Sequence, residues 1–366
     1  MNTVKHLLLT AVAVAWAGTA AWGQTPAKVK YRFIEAADLG VLGHISQTQN
    51  PYHRVDTTVY KGWTAWQNNQ VRCSSGLSVA FRTNSTVLTV KTRYGFLYTG
   101  TTTNVVAHKG YDLYIKKDGR WLYAESAVED AGKPGSNVVI IKNMSNEMKE
   151  CLLYLPLYSE EYSIQLGVEE GAVIEPIPAP FRHRIGIYGS SYTHGVSCGR
   201  AGMTYPAQFT RATGIQLLSL GMSGQCKMQS YAIPVLENAE VDGFIFDTFS
   251  NPSKKEICER LFPFIERLQA AHPGKPLIFQ RTIYREQRNF DRKAEYDESS
   301  RIALTDSLMA IACKKYKDVY YIYPNATPKD HEAQIDATHP GNYGYQLWAE
   351  SIQKPVLKIL RKYGIR

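Results

Sequence analysis

Ser191, Asp336 and His339 are the residues in this chain whose types and spacing suit acyl transfer. A serine hydroxyl is a weak nucleophile near neutral pH. It needs a base within hydrogen-bond reach and a third group that fixes the tautomer of that base. Asp336 and His339 stand three residues apart, so both side chains can point to the same side of one loop, the carboxylate holding Nδ1–H while Nε2 faces Ser191. Ser191 lies between Gly189 and Gly195, in a tight turn from which its hydroxyl can project. The oxyanion formed during attack needs donors, and the backbone N–H of Ser191, the backbone N–H of Gly224 and the side-chain amide of Asn251 can supply three. Each such donor is typically worth ~3 kcal/mol. Gly224 suits the task because a residue without Cβ lets its backbone come close to substrate. This chemistry requires neither a metal nor an organic cofactor.

Each residue also has a plainer role open to it. Ser191 could be a helix N-cap, Gly224 a turn glycine, and Asn251 before Pro252 the start of a turn. Their joint position on successive strand ends favours catalysis. His331, Asp336 and His339 could be taken for a metal cluster, but their spacing fits no compact helical ligand pair. His194 is read as a pocket-wall or substrate contact. Arg281 either reaches the cleft or forms a salt bridge.

These residues need a sheet to position them. From Arg184 onward, apolar strands at 184–189, 217–221, 243–248, 276–280 and 319–323 alternate with helical stretches. That alternation predicts an α/β, flavodoxin-like domain with a five-stranded parallel sheet and helices on both faces. The clearest helix begins at the capping box Ser253-Lys254-Lys255-Glu256 and puts Ile257, Leu261, Phe264, Ile265 and Leu268 on one face. In such sheets ligands bind beyond the carboxyl ends of the strands, where the chemical residues fall. The preceding half, residues 24–174, reads as short alternating strands (77–82, 87–92, 111–116, 120–124, 151–155 and 162–168) separated by turn residues. It predicts an all-β, jelly-roll-like sandwich with almost no helix. Residues 175–182, with Pro176, Pro178 and Pro180 at alternate positions, read as a stiff linker to a second domain at 183–366.

The blocks Gly189-Ser190-Ser191, Gly221-Met222-Ser223-Gly224, Asn251 and Asp336-Ala337-Thr338-His339, in that order, resemble the SGNH or GDSL-type serine hydrolases. Gly110-Tyr111-Asp112-Leu113-Tyr114 is similar to the GxDLY signature of the β-sandwich that precedes the hydrolase domain in one branch of these enzymes. Tyr154-Leu155-Pro156-Leu157-Tyr158 and Arg200-Ala201-Gly202-Met203 resemble the same branch. The resemblance implies an esterase working through Ser191, His339 and Asp336, with Ser191, Gly224 and Asn251 at the oxyanion. Ser190 departs from the pattern by standing where an Asp is usual, and is assigned to loop stabilisation. Asp112 and Tyr114 are read as structural rather than as a sugar surface.

Composition sets the outer limits. The chain has 366 residues, 44% of them hydrophobic, which is enough for packed cores. Its 42 basic and 33 acidic residues give +9, but the basic ones form no run of five, which argues against a nucleic-acid partner. Lys5 and His6 followed by an apolar stretch from Leu7 to Ala21 read as a secretory signal cleaved before Gln24, giving a periplasmic or secreted protein of charge +8. No later segment approaches a membrane span. Six widely spaced cysteines form no metal pattern, and Cys198 and Cys226 are a candidate disulfide bracing the oxyanion loop. The expected substrate is a small-molecule or glycan ester, with acetyl groups on carbohydrate favoured by export, the sandwich and the many aromatics. A lipid acylhydrolase or thioesterase, or a non-catalytic carbohydrate binder, is the alternative.

Overall fold

The computed structural model describes residues 29–98, 100–130 and 132–366. The segment 1–23 read as an export signal lies outside them. The amino-terminal half contains strands β1 (Tyr31–Glu35), β2 (Val41–Leu42), β3 (Ser78–Thr83), β4 (Leu88–Leu97), β5 (Tyr111–Lys117), β6 (Arg120–Ala127), β7 (Val138–Ile141), β8 (Lys149–Tyr154), β9 (Ser159–Glu169) and β10 (Ile174–Pro176). They pair antiparallel into two sheets, ordered β1-β9-β4-β7 and β10-β3-β8-β5-β6, with β2 added to β3. Leu88, Val90, Ile164 and Leu166 from one sheet meet Val79, Phe81, Leu113 and Leu153 from the other in a common core. The alternation seen in the sequence is therefore the inward-facing half of a sandwich.

This half also holds helices that apolar periodicity does not announce, α1 (Ala65–Arg72) and α2 (Val105–Lys109). Helix α1 is polar along its length and forms because Thr64 and Gln67 close a reciprocal capping box at its start. The expected linker is partly strand. Ile174–Pro176 pairs with β3, with Pro176 opposite Phe81 at the sheet edge, where a missing N–H costs nothing.

The second half follows with strands β11 (Arg182–Gly189), β12 (Ile215–Gly221), β13 (Gly243–Asp247), β14 (Leu277–Gln280) and β15 (Val319–Ile322), parallel in the order β12-β11-β13-β14-β15. Helices α3 (Ser191–His194), α4 (Tyr205–Thr213), α5 (Ile233–Glu237), α6 (Lys254–Ala271), α7 (Arg292–Lys315) and α8 (Asn342–Leu360) connect and flank them. Side chains along the strands alternate between two cores. Ile185, Ile187, Leu217 and Ile245 pack with Phe209 of α4 and Trp348 and Ile352 of α8. Tyr188, Leu218, Leu220 and Phe246 pack on the other face, where all five predicted positions of α6 are buried.

The two halves differ in architecture but share these cores. Tyr154, Leu157 and Tyr158 join the first, and Val55, Trp63 and Val71 join the second, so Tyr31–Arg366 is one compact unit. Among the described residues no helix is long and apolar enough to cross a membrane.

Candidate active site

Three parallel strands end at one level. Gly189 of β11 lies beside Gly221 of β12 and Asp247 of β13, so the loops carrying Ser191, Gly224 and Asn251 leave the sheet side by side. The Met222 N–H donates to Gly189 O at 2.8 Å, and the Cys226 N–H donates to the Asn251 Oδ1 at 3.2 Å, which ties the three loops together. Gly221 is required by close approach, since a Cβ there would come within 2.2 Å of the His194 backbone nitrogen.

Ser191 is the first residue of α3, and the cap of that helix is its neighbour. Ser190 Oγ accepts the Tyr192 N–H at 3.2 Å and donates to Asp247 at 2.7 Å. The plainer role open to Ser191 is thus filled by Ser190, and the Ser191 hydroxyl is left for other work. It lies 2.9 Å from His339 Nε2. His339 Nδ1 lies 2.8 Å from Asp336 Oδ2, while Asp336 Oδ1 accepts the backbone N–H groups of Thr338 and His339 at 3.1 and 2.7 Å. Burial alone would raise the Asp336 carboxyl, but its bonds to the ring and amide of His339 outweigh burial and hold it below its ordinary value. The loop is compact because Ala337 takes φ +57°, a left-handed turn between Asp336 and His339.

Two of the expected oxyanion donors are backbone groups that the fold leaves unspent. The Ser191 N–H stands at a helix start, where amides have no partner within the helix. Gly224 is exposed at φ +69°, and its N–H enters no hydrogen bond among the described residues. Asn251 uses its carbonyl oxygen on Cys226, which leaves the amide N–H groups to donate.

Other expectations are corrected. His194 is fully buried, stacked on Tyr158 with ring centroids 4.0 Å apart, and bonded through Nε2 to Leu157 O at 2.7 Å. Burial pushes its pKa well below the ordinary value, so it is a neutral packing residue between the halves and no pocket wall. Arg281 is held by Asp306 at 3.1 Å and lies over Tyr323, the salt-bridge alternative. The arginine beneath the site is Arg285, which donates to the Tyr192 hydroxyl at 2.7 Å and pairs with Glu298 at 2.8 Å; the Tyr192 ring in turn lies 5.5 Å from that of His339. Cys198 and Cys226 are both free thiols, buried in the cores on opposite faces of the sheet, so the proposed disulfide does not form. His331 bonds Glu286 at 2.8 Å and is not joined to Asp336 and His339 in any metal-binding group among the described residues.

Sequence reasoning missed Asp247. This buried carboxylate accepts from Ser190 N at 3.0 Å, Ser190 Oγ, Thr193 Oγ1 at 3.1 Å and Ser250 Oγ at 3.3 Å. Burial raises its pKa to about 6, against the pull of those donors. Its position also explains Ser190: an aspartate there would set a second carboxylate against Asp247, whereas serine donates to it. An acidic residue closing the apolar strand Gly243-Phe244-Ile245-Phe246-Asp247 was the available signal.

Two of the three motifs that resemble the sandwich branch, those at 110–114 and 200–203, meet in space. Arg200 Nη1 lies 2.8–2.9 Å from both Asp112 oxygens and 2.6 Å from the Tyr114 hydroxyl, and the Gly202 N–H donates to Asp112 at 2.7 Å. Asp112 and Tyr114 are thus structural, as expected, and they fasten the halves together.

With this geometry in view, comparison places the chain among known proteins. The family model described as GDSL-like Lipase/Acylhydrolase family matches residues 182–358, and that described as N-terminus of Esterase_SGNH_hydro-type matches 31–174. A Bacteroides ovatus protein described as a GDSL-like lipase is 35% identical in a solved structure, with TM-score 0.86 over 91% of this chain and 98% of that one. The chain belongs to the GDSL-like lipase/acylhydrolase family. As a GDSL-like acylhydrolase it is an SGNH-type carboxylic ester hydrolase with the GxDLY amino-terminal domain. A salicylyl-acyltransferase from a tetracycline biosynthetic pathway shares the fold at 17% identity and TM-score 0.72, covering 92% of this chain and 99% of that one. A family two carbohydrate esterase from Cellvibrio japonicus shares it at 14% and 0.58, covering 91% and 99%. No curated protein matches the acylhydrolase in sequence.

Proposed function

We propose that this acylhydrolase is an exported serine esterase that removes short acyl groups, acetyl foremost, from carbohydrate through a Ser191–His339–Asp336 triad. The observation that carries the reading is the unbroken path from Asp336 Oδ2 to His339 Nδ1 at 2.8 Å and from His339 Nε2 to Ser191 Oγ at 2.9 Å, at the level where the Gly224 and Asn251 donors leave the sheet. As Ser191 Oγ bonds to the ester carbonyl carbon, its proton passes to His339 Nε2. The negative charge on the former carbonyl oxygen is met by Ser191 N–H, Gly224 N–H and the Asn251 amide. Collapse breaks the bond to the alcohol, which takes the proton from His339. His339 then removes a proton from water as the water attacks the acyl-serine, and collapse breaks the acyl–Oγ bond, with His339 returning that proton to Ser191 Oγ as the acid leaves. Asp336 keeps the imidazole in the tautomer whose Nε2 is free to accept. Export rests on the segment ahead of Gln24, and the preference for carbohydrate esters is supported by the likeness of fold to a carbohydrate esterase.

Hydrolysis of p-nitrophenyl acetate by wild type and its loss in Ser191→Ala tests the triad; activity surviving the substitution would refute it. A series from acetyl to palmitoyl esters and acetate release from acetylated glycans test the substrate. A preference above about eight carbons would turn the assignment to a lipid acylhydrolase, on the ground that a longer chain buries more apolar surface.

A further inference from the structure

The Gly224 N–H is aimed by its own peptide plane, and that plane is gripped from the other half of the molecule. In a trans peptide the carbonyl of one residue and the N–H of the next are rigidly opposed. The carbonyl partner of the Gly224 N–H is Ser223 O, which accepts a hydrogen bond from Gln70 Nε2 at 2.9 Å. Gln70 belongs to α1, and its backbone carbonyl is locked in turn. Arg54, fully buried, donates to Gln70 O at 2.5 Å and to Gly221 O at 2.9 Å, so one guanidinium joins α1 to the strand end from which the Gly224 loop departs. The same loop is held on either side of Gly224: Tyr158 bonds the Ser223 hydroxyl at 2.6 Å, and Gln67 bonds the Gln225 side chain at 3.0 Å.

Gln70 does more for this peptide than the peptide does for Gln70. Its side chain is 1% exposed, and its Oε1 has no partner among the described residues. A buried amide oxygen without a donor is a cost, so an apolar side chain of the same length would serve packing alone at least as well. The bond to Ser223 O also draws electron density toward the carbonyl, which makes the Gly224 N–H a stronger donor.

We propose that Gln70, supplied by the sandwich half, is a positioning residue that turns the Ser223–Gly224 peptide so that Gly224 N–H faces the oxyanion. The inference rests on the esterase reading for its catalytic meaning, but the orientation of the peptide can be observed without it. Gln70→Met keeps the length and removes the donor together with the unsatisfied oxygen. Loss of a whole oxyanion donor costs about 100- to 1,000-fold in kcat, so misdirecting one is expected to lower kcat about 10- to 100-fold, with KM within about threefold. The rate is counted per site titrated by a fluorophosphonate. The urea midpoint of unfolding is expected not to fall. In 15N-glycine-labelled protein the Gly224 amide, assigned by its absence in Gly224→Ala, is expected to shift in Gln70→Met. A merely structural glutamine would give the opposite pattern, a lower midpoint with unchanged kcat, and an unmoved Gly224 amide would overturn the proposal outright. If wild type hydrolyses no ester yet the amide still shifts, the positioning stands and the esterase reading falls.

Discussion

Asp247 is where stability and the candidate active site meet, and its charge can be removed almost without changing its shape. Its carboxylate is 2% exposed, faces donors from Ser190, Thr193 and Ser250, and has a pKa raised to about 6 by burial. In the unfolded chain an aspartate titrates near 3.9. Between these values the folded protein binds the extra proton. Stability from this group is therefore fully present below about pH 4 and is lost as pH rises through about 6. Two pH units correspond to roughly 3 kcal/mol over the full range, of which about 2 kcal/mol falls between pH 4.5 and 7.5. Asp247→Asn keeps an oxygen for the two Ser190 donors and Thr193 and offers its amide to the Ser250 hydroxyl, while removing the titration. We expect the unfolding free energy of the variant, relative to wild type, to rise by about 2 kcal/mol between pH 4.5 and 7.5 in urea titrations. The other titrating groups cancel in that difference. A difference that stays constant across this interval, or that changes in the opposite direction, would refute the account of Asp247 as a carboxylate kept in a site that disfavours its charge.

Three further outcomes follow from named contacts. Asp336→Asn should lower kcat about 10,000-fold while leaving KM for a short ester nearly unchanged, because the amide would favour the wrong tautomer of His339; steady-state kinetics on p-nitrophenyl acetate would show it. Asp112→Ala leaves the Arg200 guanidinium facing the Tyr114 hydroxyl with no carboxylate, and should cost about 3–5 kcal/mol in urea unfolding, whereas Asp112→Asn should cost less. Alkylation under denaturing conditions without reductant should add six labels by intact mass, while in native protein Cys198 and Cys226 should resist labelling, since both are buried and free.

Much of this site is legible in the primary sequence because its chemistry is local. Asp336 and His339 share one loop, Ser191 sits in a glycine-flanked turn, and a parallel sheet brings successive loops to one edge. Helix α6 is readable too, since its apolar face and capping box repeat within a single element. Residues whose roles depend on a distant partner are not readable in this way. Arg281 and Arg285 both follow β14, and nothing in their spacing says that one turns to Asp306 and the other to Tyr192. Helix α1 has few apolar residues to reveal it, although Thr64-Ala65-Trp66-Gln67 carries the spacing of a capping box. Cys198 and Cys226 each follow a candidate active-site block, yet the loops that carry them bury the two thiols in different cores on opposite faces of the sheet.

By itself, then, the sequence determined the kinds of element, their order, and a set of residues able to act as nucleophile, base, acid and oxyanion donors. These depend on periodicities and spacings that hold within one segment of chain. Only the tertiary structure decided that the sandwich is fused to the hydrolase half through shared cores, that His194 is packing, that Asp247 holds Ser190 beside Ser191, and that Gln70 grips the peptide of Gly224. Each of these joins residues distant in sequence. Burial and hydrogen-bond satisfaction are settled by what surrounds a group in space, and local spacing carries no record of that.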